Sequence, residues 1–241
     1  MTPQEFSIEF DILYNNLASN AAPPINEYEK SVLLTKAQSD IVLELYSGRN
    51  QLGLSFESNE EARQYLKILI VKASVDLSTS TPIKYNNYSR YTIDKDWRSS
   101  VLFSIKEEIE NIVNSDTKSY INTYPVVPIS TDTLESTIKN PFKGPKKNRR
   151  AVITDTEQGS SYLYVDAPSN TCNYNEWYIR YPYPIILPNI EEEGLTVGDV
   201  ECVEYITDGL SCELPKSLHY TILERAVQLA KMAYIGGQKQ E

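Results

Sequence analysis

Three prolines within seven residues, Pro182, Pro184 and Pro188, limit what this chain can build. Proline fixes φ and offers no N–H to a sheet ladder, so the stretch EWYIRYPYPIIL (Glu176 to Leu187) cannot run on as an interior strand. It reads as a strand over Trp177 to Tyr181, then a stiff, unpaired, extended arm. In a second segment, PISTDTLESTIKNPFKGPKKNRR (Pro128 to Arg150), residues 130–150 read as a loop. One helical turn over Thr131 to Thr137, capped by Ser130 or Thr131, interrupts it, and Asn140-Pro141-Phe142 returns the backbone to extended geometry. Both segments have the character of partner-contacting backbone rather than pocket wall. That points towards a building block and away from an enzyme.

The first 70 or so residues carry helical periodicity. Thr2-Pro3 predicts a helix start, with Phe6, Phe10, Leu13 and Leu17 on one face, and Pro23-Pro24 ends it. Asn26 and Glu29 form a capping box with Asn in place of Ser or Thr. Leu34, Ala37, Ile41 and Leu45 then continue a stripe to Tyr46, before Gly48. Ser58 or Asn59 opens a third helix, with Glu60 and Glu61 at its electropositive end and Ala62, Tyr65, Leu66 and Leu69 as its buried stripe. At the other end Cys212-Glu213-Leu214-Pro215 leads into a final helix. Its face is Leu218, Ile222, Ala226, Leu229 and Ala233, and Gly236-Gly237 is the expected stop. This helix is expected to pack on the first three.

Residues 73–132 change character, with Thr, Ser, Tyr, Val and Ile in short runs. Tyr88 to Ile93 and Ser99 to Ile105 predict strands. Lys106 to Val113 fits either a short helix or a bulged strand. Tyr120 to Ile129 is strand-like, but Pro125 and Pro128 confine it to an edge or a loop. Ala151 to Thr154 and Tyr162 to Val165 predict two further strands about a Gln158-Gly159-Ser160 turn. The expected fold class is α+β: a helical bundle, made of three N-terminal helices plus the C-terminal helix, with an inserted β-rich region and extended loops. The expected division is 1–72 for the N-terminal part of the bundle, 73–212 for the insertion and its arms, and 213–241 for the terminal helix.

Composition narrows the function. Eighteen Tyr against five Phe suit either a Tyr-rich sheet or surfaces buried against a partner. A net charge of −10 argues against a surface that wraps nucleic acid; it suits a passage through which nucleic acid slides, and equally serves solubility. Cys172, Cys202 and Cys212 match neither a disulfide framework nor a zinc pattern, and a reducing compartment is the simple reading. The acidic start MTPQEFSIEFD lacks the apolar run of a signal peptide, and Ile68 to Val71 is too short to span a bilayer. No membrane partner is expected, and the chain reads as soluble and intracellular when made.

No residue set suggests catalysis, a cofactor or a metal. Glu191-Glu192-Glu193 are adjacent and cannot easily converge on one site, so they read as an exposed turn. His219 is the only histidine and reads as a structural hydrogen-bonding residue; a nucleophile and an orienting acid in a recognisable set are lacking, which argues against Cys212 as its thiol partner. Asn87-Tyr88-Ser89 and Asn170-Thr171-Cys172 match glycosylation acceptors, which mean nothing without secretion. Lys143, Lys146, Lys147, Arg149 and Arg150 form a cationic run beside Phe142, an aromatic anchor with a charged collar that suits docking into a neighbouring subunit. A solvated loop is the plainer alternative. In an acidic protein such a run favours head-to-tail attraction between copies, which closes into a ring where the geometry allows. The interface residues expected are Phe142, Lys146, Lys147, Arg149, Arg150, Trp177, Tyr181 and Tyr183.

Five segments together carry a family resemblance: MTPQEFSIEFDILYNNLASN, INEYEKSVLLTKAQSDIVLELY, KNPFKGPKKNRR, YIRYPYPIIL and CELPKSLHYTILERAVQLAKMAY. In that order they resemble the head–tail connector (ring or adaptor) proteins of crAss-like bacteriophages of gut Bacteroidales. The resemblance implies a structural virion protein. It would form a ring of about twelve copies below the portal, joining capsid to tail and lining the DNA passage. The partners implied are the chain itself, the portal protein, other tail ring or tail-barrel proteins, and double-stranded DNA in transit. The alternatives are another phage tail binding or scaffolding module and, further off, a phage hydrolase. A fibre protein would show repeats, and a hydrolase a convergent carboxylate, histidine or metal cluster.

Overall fold

The computed structural model describes residues 1–17, 24–49, 55–78, 80–114, 119–146, 150–155, 160–166, 172–190, 195–198, 200–201 and 208–238. Its elements, in chain order, are α1 (Pro3–Leu17), α2 (Glu27–Ser47), α3 (Glu60–Leu66), β1 (Ile70–Asp76), β2 (Ile83–Tyr85), β3 (Tyr88–Asp94), β4 (Val101–Asn114), β5 (Ser119–Pro128), α4 (Leu134–Lys139), β6 (Ala151–Asp155), β7 (Ser160–Val165), β8 (Cys172–Arg180), β9 (Thr196–Val197), β10 (Val200–Glu201) and α5 (His219–Gln238). The class is α+β. Two compact units divide the chain: a helical unit of 1–69 and 181–241, and a sheet unit of 70–180. Against the expected insertion of 73–212, strand β1 opens three residues earlier, in the apolar run Ile68 to Val71, and 181–190 lies with the helices.

In the helical unit, α5 packs on α1 and α2. Phe6, Phe10 and Tyr14 are the buried face of α1, with Tyr14 in the place expected for Leu13. Both arms of the capping box are made: the Asn26 side chain accepts from Glu29 N at 2.7 Å, and the Glu29 carboxylate accepts from Asn26 N at 3.2 Å. Gly48 takes the left-handed C-cap at φ 72°, where an L side chain would be strained. Lys30, only 2% exposed, bonds Asp11 on α1 at 2.8 Å and Glu27 at 2.9 Å. The α5 face is Ile222, Leu223, Ala226, Val227 and Ala230, all buried, with Leu218 buried in the turn just before the helix. The helix also continues through Gly236-Gly237 to Gln238, so those glycines are not its stop.

The proline-rich segment is not an unpaired arm. Its backbone is fastened to a polar stripe on α2. Gln38 Nε2 donates to Tyr183 O at 2.8 Å, Ile185 N donates to Thr35 Oγ1 at 3.0 Å, and Leu187 N donates to Ser31 Oγ at 2.9 Å. Ser31, Thr35 and Gln38 stand at i, i+4 and i+7, one helical face. On its other side Ile186 exchanges both backbone bonds with Leu210, at 3.0 and 2.7 Å. Gly209, at φ 67°, makes that approach possible: a Cβ there would lie 2.5 Å from Ile186 O. Ile185, Ile186 and Leu187 are fully buried, each contributing about 1.5–3 kcal/mol of apolar burial.

The sheet unit is one eight-stranded sheet in the order β1-β8-β4-β5-β6-β7-β3-β2. Val75 and Leu77, at the β1 end, share a core with Tyr91 and Ile93 of β3, so the sheet curls around that core. Five of the eighteen tyrosines, Tyr91, Tyr124, Tyr164, Tyr174 and Tyr178, are buried in this unit. Lys106 to Val113 is strand, within the 14-residue β4, and its register shifts fall earlier, between Val101 and Lys106. Strand β5 is interior, against the expectation of an edge. It tolerates its prolines because it changes partners: Ser119 to Pro125 pair with β4, and Val126 to Pro128 pair with β6. Each proline therefore sits where one side of the ladder ends.

The β5–β6 pairing is parallel, unlike its neighbours. Parallel neighbours need a crossover connection. That connection is residues 129–150, in which α4 lays Leu134 and Ile138 against Val152 and Tyr164.

Substituting Ser31→Ala or Thr35→Val should lower unfolding free energy by about 1–3 kcal/mol each, because a buried N–H loses its acceptor. Exposed Lys36→Ala should stay within about 0.5 kcal/mol of the parent. Urea titration followed by helix circular dichroism measures both.

Candidate assembly surfaces

The crossover presents the cationic loop. The Asn140 side chain accepts from Phe142 N at 2.8 Å and Lys143 N at 3.3 Å, and Gly144 N donates to Asn140 O at 2.9 Å. A Cβ at Gly144 would crowd three backbone carbonyls, Ile138 O at 3.0 Å, Asn140 O at 3.2 Å and Thr137 O at 3.3 Å, so glycine suits this position. Lys146 and Arg150 exchange backbone bonds at 3.1 and 3.4 Å, and the Arg150 guanidinium donates to Phe142 O. The Lys146 ammonium lies 5.7 Å from the centre of the Phe142 ring. Phe142 is thereby held by its backbone while its side chain stays 82% exposed. Lys147 and Arg149, expected beside it, lie outside the described residues, as do Cys202 and Glu191-Glu192-Glu193.

The other expected contact residues are in different places. Trp177 on β8 is half-buried between two lysines directly across from it, Lys72 on β1 at 4.7 Å and Lys106 on β4 at 4.9 Å from its ring. It is therefore a covered ring rather than a bare anchor. Tyr181 and Tyr183 belong to the helical unit. They alternate with buried Pro182 and Pro184, so the extended backbone turns both rings outward, 53% and 57% exposed. The structure thus brings Phe142, Lys146 and Arg150 together on one loop, places Trp177 elsewhere on the sheet, and sets the two tyrosines on the helical unit.

Charge is divided unevenly. Of 23 basic and 33 acidic side chains, the helical unit holds nine and 20, a net of −11, and the sheet unit holds 14 and 13, a net of +1.

The ionisable groups the fold collects are interior. Lys95 pairs with Glu107 at 3.5 Å and Glu176 at 3.0 Å, and Trp97 Nε1 donates to the same Glu176 oxygen at 3.0 Å. Burial pushes the Glu107 carboxyl above its usual range. With side-chain exposures of 7%, 8% and 3%, this trio braces the sheet's core and is closed to a substrate. Burial raises the Cys212 thiol to about 11, which removes the thiolate a nucleophile needs. His219 bonds Leu214 O through Nε2 at 2.9 Å and the Met1 amine through Nδ1 at 2.8 Å. The carbonyl requires the proton on Nε2, so Nδ1 accepts. Among the described residues, no group of three His, Cys, Asp or Glu side chains is arranged to hold a metal, and no helix is long and apolar enough to cross a membrane.

The family model described as "Phage tail ring protein 3/4" matches residues 1–241. This chain belongs to that family of phage tail ring proteins. Two relatives come from Bacteroides phage crAss001. "Ring protein 4/5" is 36% identical over 239 residues, covering 98% of this chain and 94% of that protein. "Ring protein 3" is 34% identical over 239 residues, covering 95% of each. The resemblance read from the sequence is therefore confirmed at family level, and the role is that of a structural ring protein of the phage virion. The ring protein's outward-facing aromatic and cationic residues, not its buried carboxylates, are the candidates for that work.

Two features escaped sequence reading. The stripe of Ser31, Thr35 and Gln38 left a signal, three hydrogen-bonding residues on one face of a helix. The charge division is a simple count, but only once the unit boundaries are known.

Burial lowers the His219 pKa, so the unfolded chain takes the proton more readily than the folded one. Stability should be unaffected by this group above about pH 6.5 and should fall as pH drops below it. With one histidine in the chain, the ring resonance in an NMR titration reports it directly; the midpoint should lie below 6.5.

Proposed function

We propose that the chain forms one ring layer of the phage head–tail connector, with about twelve copies closed head to tail. The observation that carries this reading is the full-length match to phage tail ring proteins, with two ring proteins of one phage as relatives. In the proposal the ring lies below the portal, joins capsid to tail through contacts with the portal and with other ring or tail-barrel proteins, and lines the channel for double-stranded DNA. The protein is made in the host cytoplasm and built into the virion. The helical unit acts as a bundle that holds shape.

The physical support is threefold. A head-to-tail ring needs two different complementary patches on each copy. The chain carries an exposed aromatic on a cationic loop and an acidic unit of net −11. An acidic surface repels phosphate and lets DNA pass without sticking.

Native mass spectrometry of the purified 27.4 kDa chain, alone and with portal protein, tests the proposal. One dominant closed assembly of about twelve copies is expected, with no retention of duplex DNA at physiological salt. The double reversal Arg149→Glu with Arg150→Glu should leave circular dichroism unchanged and cut assembly at least tenfold. A chain that stays monomeric with and without portal protein would rule the ring reading out.

A further inference from the structure

The helical unit carries an apolar groove of about 520 Å³ lined by Tyr14, Ile25, Tyr28, Val32, Leu33 and Ala230, with Glu29 and Ala233 also on its walls. Its walls come from α1, α2 and α5 and the segment before α2, and Val32 on α2 is 39% exposed. Ser31 and Lys30, next to it in sequence, are committed to contacts inside the unit. In the sheet unit, Phe142 is 82% exposed on a loop whose backbone is fixed by Asn140, Lys146 and Arg150. A large apolar ring held out in water by a rigid loop loses little entropy on docking and gains apolar burial.

We infer that the groove on the helical unit of one copy receives Phe142 from the sheet unit of the next. This inference rests on the ring reading and names its contact. Charge complementarity selects a second copy as the occupant. The loop presents Lys146 at 5.7 Å from the ring and exposed Lys143 next to Phe142 in the chain, with no acidic residue between Lys139 and Arg150. The groove presents Glu29, on a unit of net −11. The two partners sit on different units of one chain, so the contact is heterologous: each copy donates a ring and receives one. Aromatic insertion into an apolar pocket, collared by opposite charge, is the pattern of an interface hot spot.

Placing the photo-reactive aromatic benzoylphenylalanine at Phe142 tests this while keeping the ring's shape. Equal amounts of isotopically light and heavy chains are mixed, irradiated and mapped by peptide mass spectrometry. The expected result is mixed-isotope cross-links from position 142 to the segments around Tyr14, Ile25 to Leu33, or Ala230. Phe142→Ala and Val32→Lys should each raise the concentration for half-assembly about tenfold or more, and Phe142→Trp much less. Both altered side chains are exposed, so monomer unfolding should not move. Assemblies that form normally but cross-link position 142 elsewhere, to another partner or within one chain, would overturn the contact and leave the ring reading intact. A chain that never self-associates, with or without portal protein, would overturn both.

Discussion

Three polar side chains on one face of α2 hold the helical unit together in the form it has. Ser31, Thr35 and Gln38 take up backbone groups of 183–187, where prolines have removed the option of a sheet. Buried N–H and C=O groups left unmatched would each cost about 1–3 kcal/mol. Once they are matched, Ile185, Ile186 and Leu187 can be fully buried, and Leu210 can pair on the other side. The prolines then act as alignment rather than obstruction. They keep the segment extended, so Tyr181 and Tyr183 face outward at fixed positions. A segment that looks free in one dimension is among the most constrained in three.

A second constraint shapes the sheet unit. The β5–β6 pair is parallel, and a parallel pair cannot be closed by a hairpin. The chain must leave the sheet and return, and residues 129–150 are that excursion. Helix α4 anchors it to the sheet, the Asn140 turn and the Lys146–Arg150 backbone bonds brace the segment 140–146, and Phe142 is exposed there. An assembly protein depends on such rigidity. Binding energy is not spent on ordering the contact, so geometry decides whether copies associate.

The buried ionisable groups fit a structural role. Lys95 balances the charge of one carboxylate inside the curled sheet, where an unpaired charge would be destabilising, and burial favours the neutral form of Glu107, the second acid beside it. His219 and Cys212 are similarly committed by burial, one to a carbonyl and an amine, the other to its neutral thiol. What remains for outside contact is charge distribution and exposed aromatic area.

Local signals were legible in the amino-acid order. Helix starts at Pro3, Asn26 and Asn59 follow from capping chemistry, which acts over three or four residues. The family was legible too, because its marks are contiguous segments. Long-range pairing was not. The interior position of β5 depends on a partner change at Val126, and the docking of 183–187 depends on side chains about 150 residues away. Neither leaves a periodic trace. The sequence by itself determined the helix starts, the acidic balance and the cationic run beside Phe142. Only the tertiary structure decided which of these face solvent, because exposure depends on what packs against a residue from elsewhere in the chain.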